Sequence, residues 1–164
     1  MIIVTQKKAG FTLVEMMIVI AIMAILAAIA APNLQTYMAQ RRLNGAARQV
    51  MTDLMAARMK AVSQNNQFRV SFLDDHQYKV LDDANNNNAE DSGETSTTRD
   101  IYPDYHDVTL SMGEINYITF FDPRGTASFS PSSFEATITL SSSSGSKKCV
   151  NIRYTGRIKI DDTP

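Results

Sequence analysis

The chain has 164 residues, 44% of them apolar, with 16 basic and 17 acidic side chains and a formal charge of −1. That length holds one domain beyond an anchor and excludes two, and so small a net charge says little by itself about nucleic acid or membrane partners. Cys149 is the only cysteine, so an intrachain disulfide is excluded.

Met1 to Gly10 forms a short leader carrying Lys7 and Lys8, which favour a cytoplasmic amino end. Arg41 and Arg42 on the other flank of the apolar stretch oppose that bias, so charge alone does not settle topology. An unbroken apolar run from Met16 to Ala31 follows Phe11-Thr12-Leu13-Val14-Glu15 and stops at Pro32. As a helix, residues 11–31 span roughly 31 Å, the thickness of a bilayer core. Glu15 is the one ionisable residue inside the span, and a charged carboxylate at mid-bilayer costs on the order of 2.5–3.5 kcal/mol. Two readings stand: a plain signal anchor that tolerates the glutamate, or a carboxylate that meets a partner. A cleavable secretory signal fits less well, because no small-residue cleavage site with a polar flank precedes Pro32.

Lys7-Lys8-Ala9-Gly10-Phe11-Thr12-Leu13-Val14-Glu15 resembles the class III leader of type IV pilins and type II secretion pseudopilins. The resemblance implies that a prepilin peptidase cuts between Gly10 and Phe11, that the new Phe11 amine is N-methylated, and that Glu15 is needed for entry into a filament. Such a cut takes the formal charge from −1 to −3 by removing Lys7 and Lys8. It also creates an ammonium with a reference pKa of about 7.7–8.0. Glu15 pairs with that ammonium within one chain or with the Phe11 ammonium of a neighbour. In a low-dielectric core a misregistered neighbour leaves both charges unpaired, so the pair acts as a register device more than as glue.

Beyond Pro32, which removes a backbone hydrogen bond and kinks or locally breaks a helix, helical periodicity resumes. Leu43, Ala47, Val50, Leu54, Ala57 and Ala61 recur at spacings of four and three, with Arg41, Arg48, Asp53, Arg58 and Lys60 mostly on other faces. The spacing predicts a helix from about Thr12 to about Gln64, disturbed at Pro32, whose second half lays one stripe against a head. Its many methionines serve adaptable packing. After Asn65-Asn66, Phe68 to Phe72 alternates as a strand, and Asp74 to Gln77 turns into a second strand at Tyr78 to Leu81. The run Asp53 to Val62, with Leu54, Ala57-Arg58 and Ala61-Val62, leads into that first strand and resembles the GspH/FimT branch of the pilin-like families.

From Asp82 to about Asp100 the composition is Asn-, Asp-, Ser- and Thr-rich, and the segment is read as a mobile surface loop. Its acidic residues raise a calcium site, but the segment is read as lacking EF-hand spacing and as solvated. Short strands are then expected at Val108–Leu110, Tyr117–Phe121, Ala127–Phe129, Phe134–Leu140, Cys149–Tyr154 and Arg157–Ile160, separated by turn signals. Phe120-Phe121-Asp122-Pro123-Arg124-Gly125 resembles the Phe-x-Pro-x-Gly turn of the GspH/FimT head, and Thr137–Leu140 and Gly156–Ile160 resemble its last strands. The expected fold is α+β: a long amino-terminal helix, transmembrane in its first half and amphipathic in its second, packed on a mostly antiparallel β-sheet head. The expected segments are a leader at 1–10, a membrane and filament-core helix at 11–31, and a periplasmic head at 32–164. That head comprises an amphipathic helix at 33–64 and a β-rich part at 67–161. Cys149 alternates with its strand neighbours and reads as a buried strand residue, with a cross-linking thiol as the other reading.

Catalysis finds little support. His76 and His106 each sit beside an aspartate in turn-like sequence, and no nucleophile elbow, phosphate loop, zinc spacing or dinucleotide motif is present. The expectation is no enzyme, no cofactor and no metal. Lys147, Lys148, Arg153, Arg157 and Lys159 make the last strands basic, while Asp74 to Asp107 is acidic. These blocks are solvated faces, or they orient the heads of neighbouring subunits. Gly156-Arg157-Ile158-Lys159 also resembles the Gly-Arg-x-Arg motif with which some FimT-type minor pilins bind DNA, with Lys159 in place of the second arginine. Lysine keeps the charge and loses the bidentate fork.

The resemblance therefore implies a minor pilin or pseudopilin of a Gram-negative inner membrane, single-pass with a periplasmic head. It would be assembled at or near the tip of a type IV pilus or a type II secretion pseudopilus. Its implied partners are the prepilin peptidase, other major and minor pilins or pseudopilins and the inner-membrane assembly platform, with weak, non-specific DNA binding as the alternative function.

Overall fold

The computed structural model describes residues 10–87, 89–113, 115–121 and 124–162. The leader lysines Lys7 and Lys8 and the turn residues Asp122 and Pro123 lie outside the described residues. The chain divides into two compact units, Met1–Tyr37 and Met38–Pro164.

One helix, α1 (Leu13–Gln64), runs through both units. Thr12 caps its start: Thr12 Oγ1 accepts the Glu15 backbone N–H at 3.2 Å, which satisfies one of the donors a helix start leaves free. The helix is continuous through Pro32, where a disturbance was expected, and its bounds lie close to the expected 12–64. Around that residue Asn33 Nδ2 donates to the Ile29 carbonyl at 3.3 Å and Thr36 Oγ1 to the Pro32 carbonyl at 3.2 Å, each a side chain bonding back one turn of the helix. In the first unit every described residue is exposed, including Phe11 at 80% and the large apolar residues from Leu13 to Leu34. So much bare apolar surface demands a cover of lipid or protein.

In the second unit the periodic stripe turns inward as expected, and the same face also buries Ala39 and Ala46. Among the described residues nine strands follow: β1 (Gln67–Phe72), β2 (Gln77–Asp83), β3 (Thr95–Asp100), β4 (Val108–Ser111), β5 (Tyr117–Phe121), β6 (Thr126–Ser130), β7 (Glu135–Ser142), β8 (Lys147–Arg153) and β9 (Ile158–Asp161). They form two antiparallel sheets, β3-β2-β1-β5-β6 and β4-β7-β8-β9. Leu43, Val50 and Leu54 of the helix share one core with Phe68, Tyr78, Ile118 and Phe120 of the first sheet and Ile138, Leu140 and Ile152 of the second. Backbone bonds stitch the sheets at two points: Leu110 N–H donates to the Asp75 carbonyl at 2.7 Å, and Ala127 N–H to the Tyr154 carbonyl at 2.8 Å.

Two expectations are corrected. The segment from Asp82 to Asp100 is not all loop, because Thr95–Asp100 pairs with β2 as an edge strand in the register Gln77↔Asp100 to Asp82↔Thr95. All six of its residues are exposed. A backbone ladder suffices for this strand, with no buried face of its own. Phe134, Tyr154 and Arg157 lie outside the strands expected to contain them. Phe134 is 83% exposed and stacks edge-on against Tyr154, with ring centroids 6.1 Å apart.

Candidate functional site

At the amino-terminal end, Gly10, Phe11 and Glu15 are exposed around the start of α1. A Cβ added to Gly10 would meet nothing within 4 Å, so packing gives no reason for glycine there. Thr12-x-x-Glu15 is the capping-box pattern, a signal the sequence reading passed over. The threonine half of the box is made, while the Glu15 carboxylate has no hydrogen bond or ion pair among the described residues. A carboxylate in the first turn sits favourably in the helix dipole. Here it stands on an apolar surface with its oxygens uncommitted.

The basic end of the head is built by the last two hairpins. Among its expected residues, Arg153, Arg157 and Lys159 meet Glu135, Asn151 and Asp161 around a cavity of about 220 Å³. A polar ladder crosses the three strands behind it: Thr137 Oγ1 donates to Asn151 Oδ1 at 2.8 Å and Asn151 Nδ2 to Asp161 Oδ2 at 2.9 Å. Lys159 Nζ lies 2.5 Å from Asp161 Oδ1, and these two neighbours hold the Asp161 carboxyl below the usual range. Lys148 is half-buried and pairs with Asp162, whereas Lys147, Arg153 and Arg157 are exposed with no ion pair among the described residues. Of the five expected cations, Lys148 and Lys159 therefore pair with a carboxylate, while Lys147, Arg153 and Arg157 show no ion pair among the described residues, and Arg153 acts on Asp161 from a distance.

Gly156 has a structural task beside its place in the motif. Its φ is +76°, and a Cβ there would lie 2.1 Å from the Gly125 carbonyl oxygen and 2.6 Å from Arg58 Nε. Arg58 Nε donates to that same carbonyl at 3.0 Å. One guanidinium of the helix thus lies against two glycine turns, one from each sheet, and hydrogen-bonds the Gly125 turn. Asp53 is likewise drawn into the head: Tyr78, fully buried, donates its hydroxyl to Asp53 Oδ2 at 2.6 Å, and Arg99 of β3 lies 3.7 Å from the same oxygen. Burial first, and the Asp53 carboxylate second, push the Tyr78 phenol well above its ordinary pKa. Arg42 grips Asp107 through two bonds, Nε to Oδ1 at 2.6 Å and Nη2 to Oδ2 at 2.8 Å. That guanidinium holds the Asp107 carboxyl below the usual carboxylate range. Partners 65 residues apart leave no mark in the sequence.

Neither histidine enters a catalytic arrangement among the described residues. His106 is exposed, and His76 Nδ1 lies 2.8 Å from Asp75 Oδ1 with its ring edge-on to Tyr102. Asp74, Asp75 and His76 have ligand atoms close together, but Asp74 Oδ1 already accepts the backbone N–H groups of His76 and Gln77, both at 2.7 Å. Cys149 is buried on β8 with its sulfur 3.8 Å from Thr139 Oγ1, which leaves no exposed thiol to cross-link.

Residues 46–156 match the family described as type II transport protein GspH, and residues 5–31 match the prokaryotic N-terminal methylation motif. Two fimbrial proteins of Eikenella corrodens are similar over short segments. EcpB is 60% identical over 38 residues, 23% of this chain and 24% of EcpB. EcpC is 56% identical over 41 residues, 25% of this chain and 27% of EcpC. The match thus spans about a quarter of the length of each relative. The fold is that of the type IV minor pilin FimU of Pseudomonas aeruginosa, seen in two crystal forms. One gives a TM-score of 0.53 at 20% identity over 73% of this chain and 92% of FimU. The other gives 0.56 at 19% identity over 74% and 90%.

Proposed function

Because the chain belongs to the type II transport protein GspH family and carries the N-terminal methylation motif, we propose that it is a structural minor pilin or pseudopilin, cleaved after Gly10 and methylated at Phe11. The observation that carries this reading is the fully exposed apolar face of residues 11–34 around one uncommitted carboxylate, directly after a glycine that packing does not require. Such a surface first sits in the inner membrane with the head in the periplasm. On extraction by an assembly platform it exchanges lipid for the helices of other pilins or pseudopilins. Glu15 then meets the Phe11 ammonium of a neighbour, which fixes register because a slipped pairing strands two charges in apolar surroundings. The expected position is at or near the tip of a type IV pilus or type II secretion pseudopilus, as a packing and recognition subunit without catalysis.

The mass of the purified membrane form tests the reading. It should begin at a methylated Phe11, and Gly10→Ala should remain uncut and be absent from filaments while the head stays folded. A parent protein that keeps Met1 overturns it and leaves an ordinary tethered head. Deletion decides between the machines: loss of twitching and transformation means a pilus, and loss of protein secretion means a pseudopilus.

A second reading, DNA binding at the basic end, is favoured by the exposed Arg153 and Arg157 beside one cavity, neither in an ion pair among the described residues. Phosphate contacts of this kind give weak, sequence-indifferent binding that falls steeply with salt. Titrating the chain with duplex DNA at two salt concentrations, beside Arg157→Ala, tests it. Equal signals for parent and variant remove it.

A further inference from the structure

Where α1 enters the head, it and the connection from β3 to β4 enclose a groove of about 340 Å³ between Met38, Arg41, Arg42, Gly45 and Tyr105. Gly45 makes room for its wall. A Cβ there would lie 2.7 Å from Tyr105 Cε1, so the ring occupies the space that a side chain at 45 would fill. The connection itself is fixed by its backbone and by the helix. Tyr105 N–H donates to the Ile101 carbonyl at 2.8 Å, Val108 N–H to the Tyr105 carbonyl at 2.9 Å, and Arg42 grips Asp107. The groove thus belongs to the folded head, and all its lining residues lie in the second unit.

Its chemistry and its place in the chain point to one occupant. Met38 and the half-buried Tyr105 give the groove an apolar side. On its rim Arg41 is exposed with no ion pair among the described residues, whereas Arg42 is engaged by Asp107. An apolar wall beside one uncommitted guanidinium suits an amphiphile with an anionic end. Met38 follows Ala31, the last residue of the apolar run, by seven residues of unbroken helix, a rise of about 10 Å. The headgroup layer of a bilayer is roughly 5–8 Å deep on each side. Helical side chains lean back toward the amino end, so the long Arg41 reaches down to that layer. Tyr37, one residue before the groove, and Tyr102, in the same connection as Tyr105, are both exposed, and tyrosine collects at membrane interfaces.

We infer that this groove holds the headgroup of an anionic phospholipid of the anchoring bilayer, with Arg41 on the phosphate and Met38 and the Tyr105 ring against the glycerol carbons. The inference rests on the membrane stage of the subunit proposed above. A guanidinium meets a phosphate through paired, charge-assisted bonds. One arginine near an anionic lipid surface contributes about fivefold in affinity. A soluble phosphate carries the same charge without the apolar part, so the lipid makes fuller use of the groove. The bound lipid tethers the head to the leaflet before assembly, and extraction into a filament has to break that contact.

The full chain is placed in nanodiscs, one chain to a disc, of phosphatidylcholine alone or mixed with phosphatidylglycerol. Phenylglyoxal labelling, mapped by mass spectrometry, then reads the exposure of each arginine. Phosphatidylglycerol should slow labelling of Arg41 about fivefold and leave the exposed Arg48, about two turns further along, unchanged. Glycerol 3-phosphate added to phosphatidylcholine discs should protect neither. In native mass spectra the parent should retain one phosphatidylglycerol, and Arg41→Gln, shown to be folded by circular dichroism, should lose it. The labelling arms use the parent alone, so they decide even where the variant is unfolded. Equal slowing at Arg41 and Arg48 assigns the effect to general surface charge. Protection by glycerol 3-phosphate assigns the groove to a soluble anion, and protection only with two chains in a disc assigns it to a second copy. Each of these overturns the inference, as does a folded Arg41→Gln that keeps the lipid. An unprotected Arg41 in a chain that has entered the disc overturns it too and leaves the anchored subunit standing. A chain that does not enter the disc overturns both.

Discussion

At the scale of single residues, Gly156 separates what the fold needs from what a ligand would use. Its positive φ and the 2.1 Å approach of a would-be Cβ to the Gly125 carbonyl make alanine there doubly unfavourable. Gly156→Ala should lower stability by about 2–5 kcal/mol, combining left-handed backbone strain with overpacking. A thermal-melt series measures this, and the neighbouring Arg157→Ala, an exposed change, should leave the midpoint within a degree or two. A motif match at Gly156-Arg157 therefore carries information about function only through its arginine. The same distinction runs the other way at Gly10, where no neighbour constrains the residue and the reason for glycine lies outside the folded chain.

At the scale of elements, the edge strand β3 gives the sharpest contrast. Ile101 N–H donates to the His76 carbonyl, and the register continues with Gln77 opposite Asp100. Antiparallel pairing alternates, so Thr95, Thr97 and Arg99 turn their backbone groups to β2, while Ser96, Thr98 and Asp100 turn theirs to the open edge. Thr97→Pro should cost about 3 kcal/mol and Thr98→Pro far less, since proline is tolerated where the N–H faces solvent. Urea unfolding of the two variants checks the order, and a reversed order would contradict the register. This strand was invisible in the sequence because no side chain of it is buried, so it lacks the alternation by which β1 and β5 were legible. The helix stripe was legible for the opposite reason, since Leu43, Val50 and Leu54 follow a 3.6-residue period that the core enforces. The free Glu15 and the basic hairpins were marked by motif. Arg42–Asp107, Tyr78–Asp53 and the Arg58 clasp join residues far apart in the chain, and nothing local announces them.

At the scale of the whole molecule, charge sets the response to pH and to neighbours. Asp107 is depressed in the folded head by Arg42, so its contribution is complete above the unfolded carboxyl value of about 3.9 and disappears as the pH falls through the folded one. Arg42→Ala should therefore melt earlier than the parent at pH 7, with the gap closing below about pH 4. A gap that persists in acid would assign the effect to packing instead. Between molecules, Lys147→Glu with Lys148→Glu should reduce incorporation into sheared filaments if basic strands face acidic loops of the next subunit. Unchanged amounts would remove that role. Because Lys148 already answers Asp162 in its own chain, the weight of the test falls on Lys147.

The helix turns alanine after alanine toward the strands, at positions 39, 46, 47, 57 and 61. Methyl groups allow two backbones to come close, and they leave no slack for anything bulkier. Divergence among heads of this kind is therefore channelled into the hairpins, whose loops can lengthen, recolour their charge or acquire a ligand while the seam behind them stays shut.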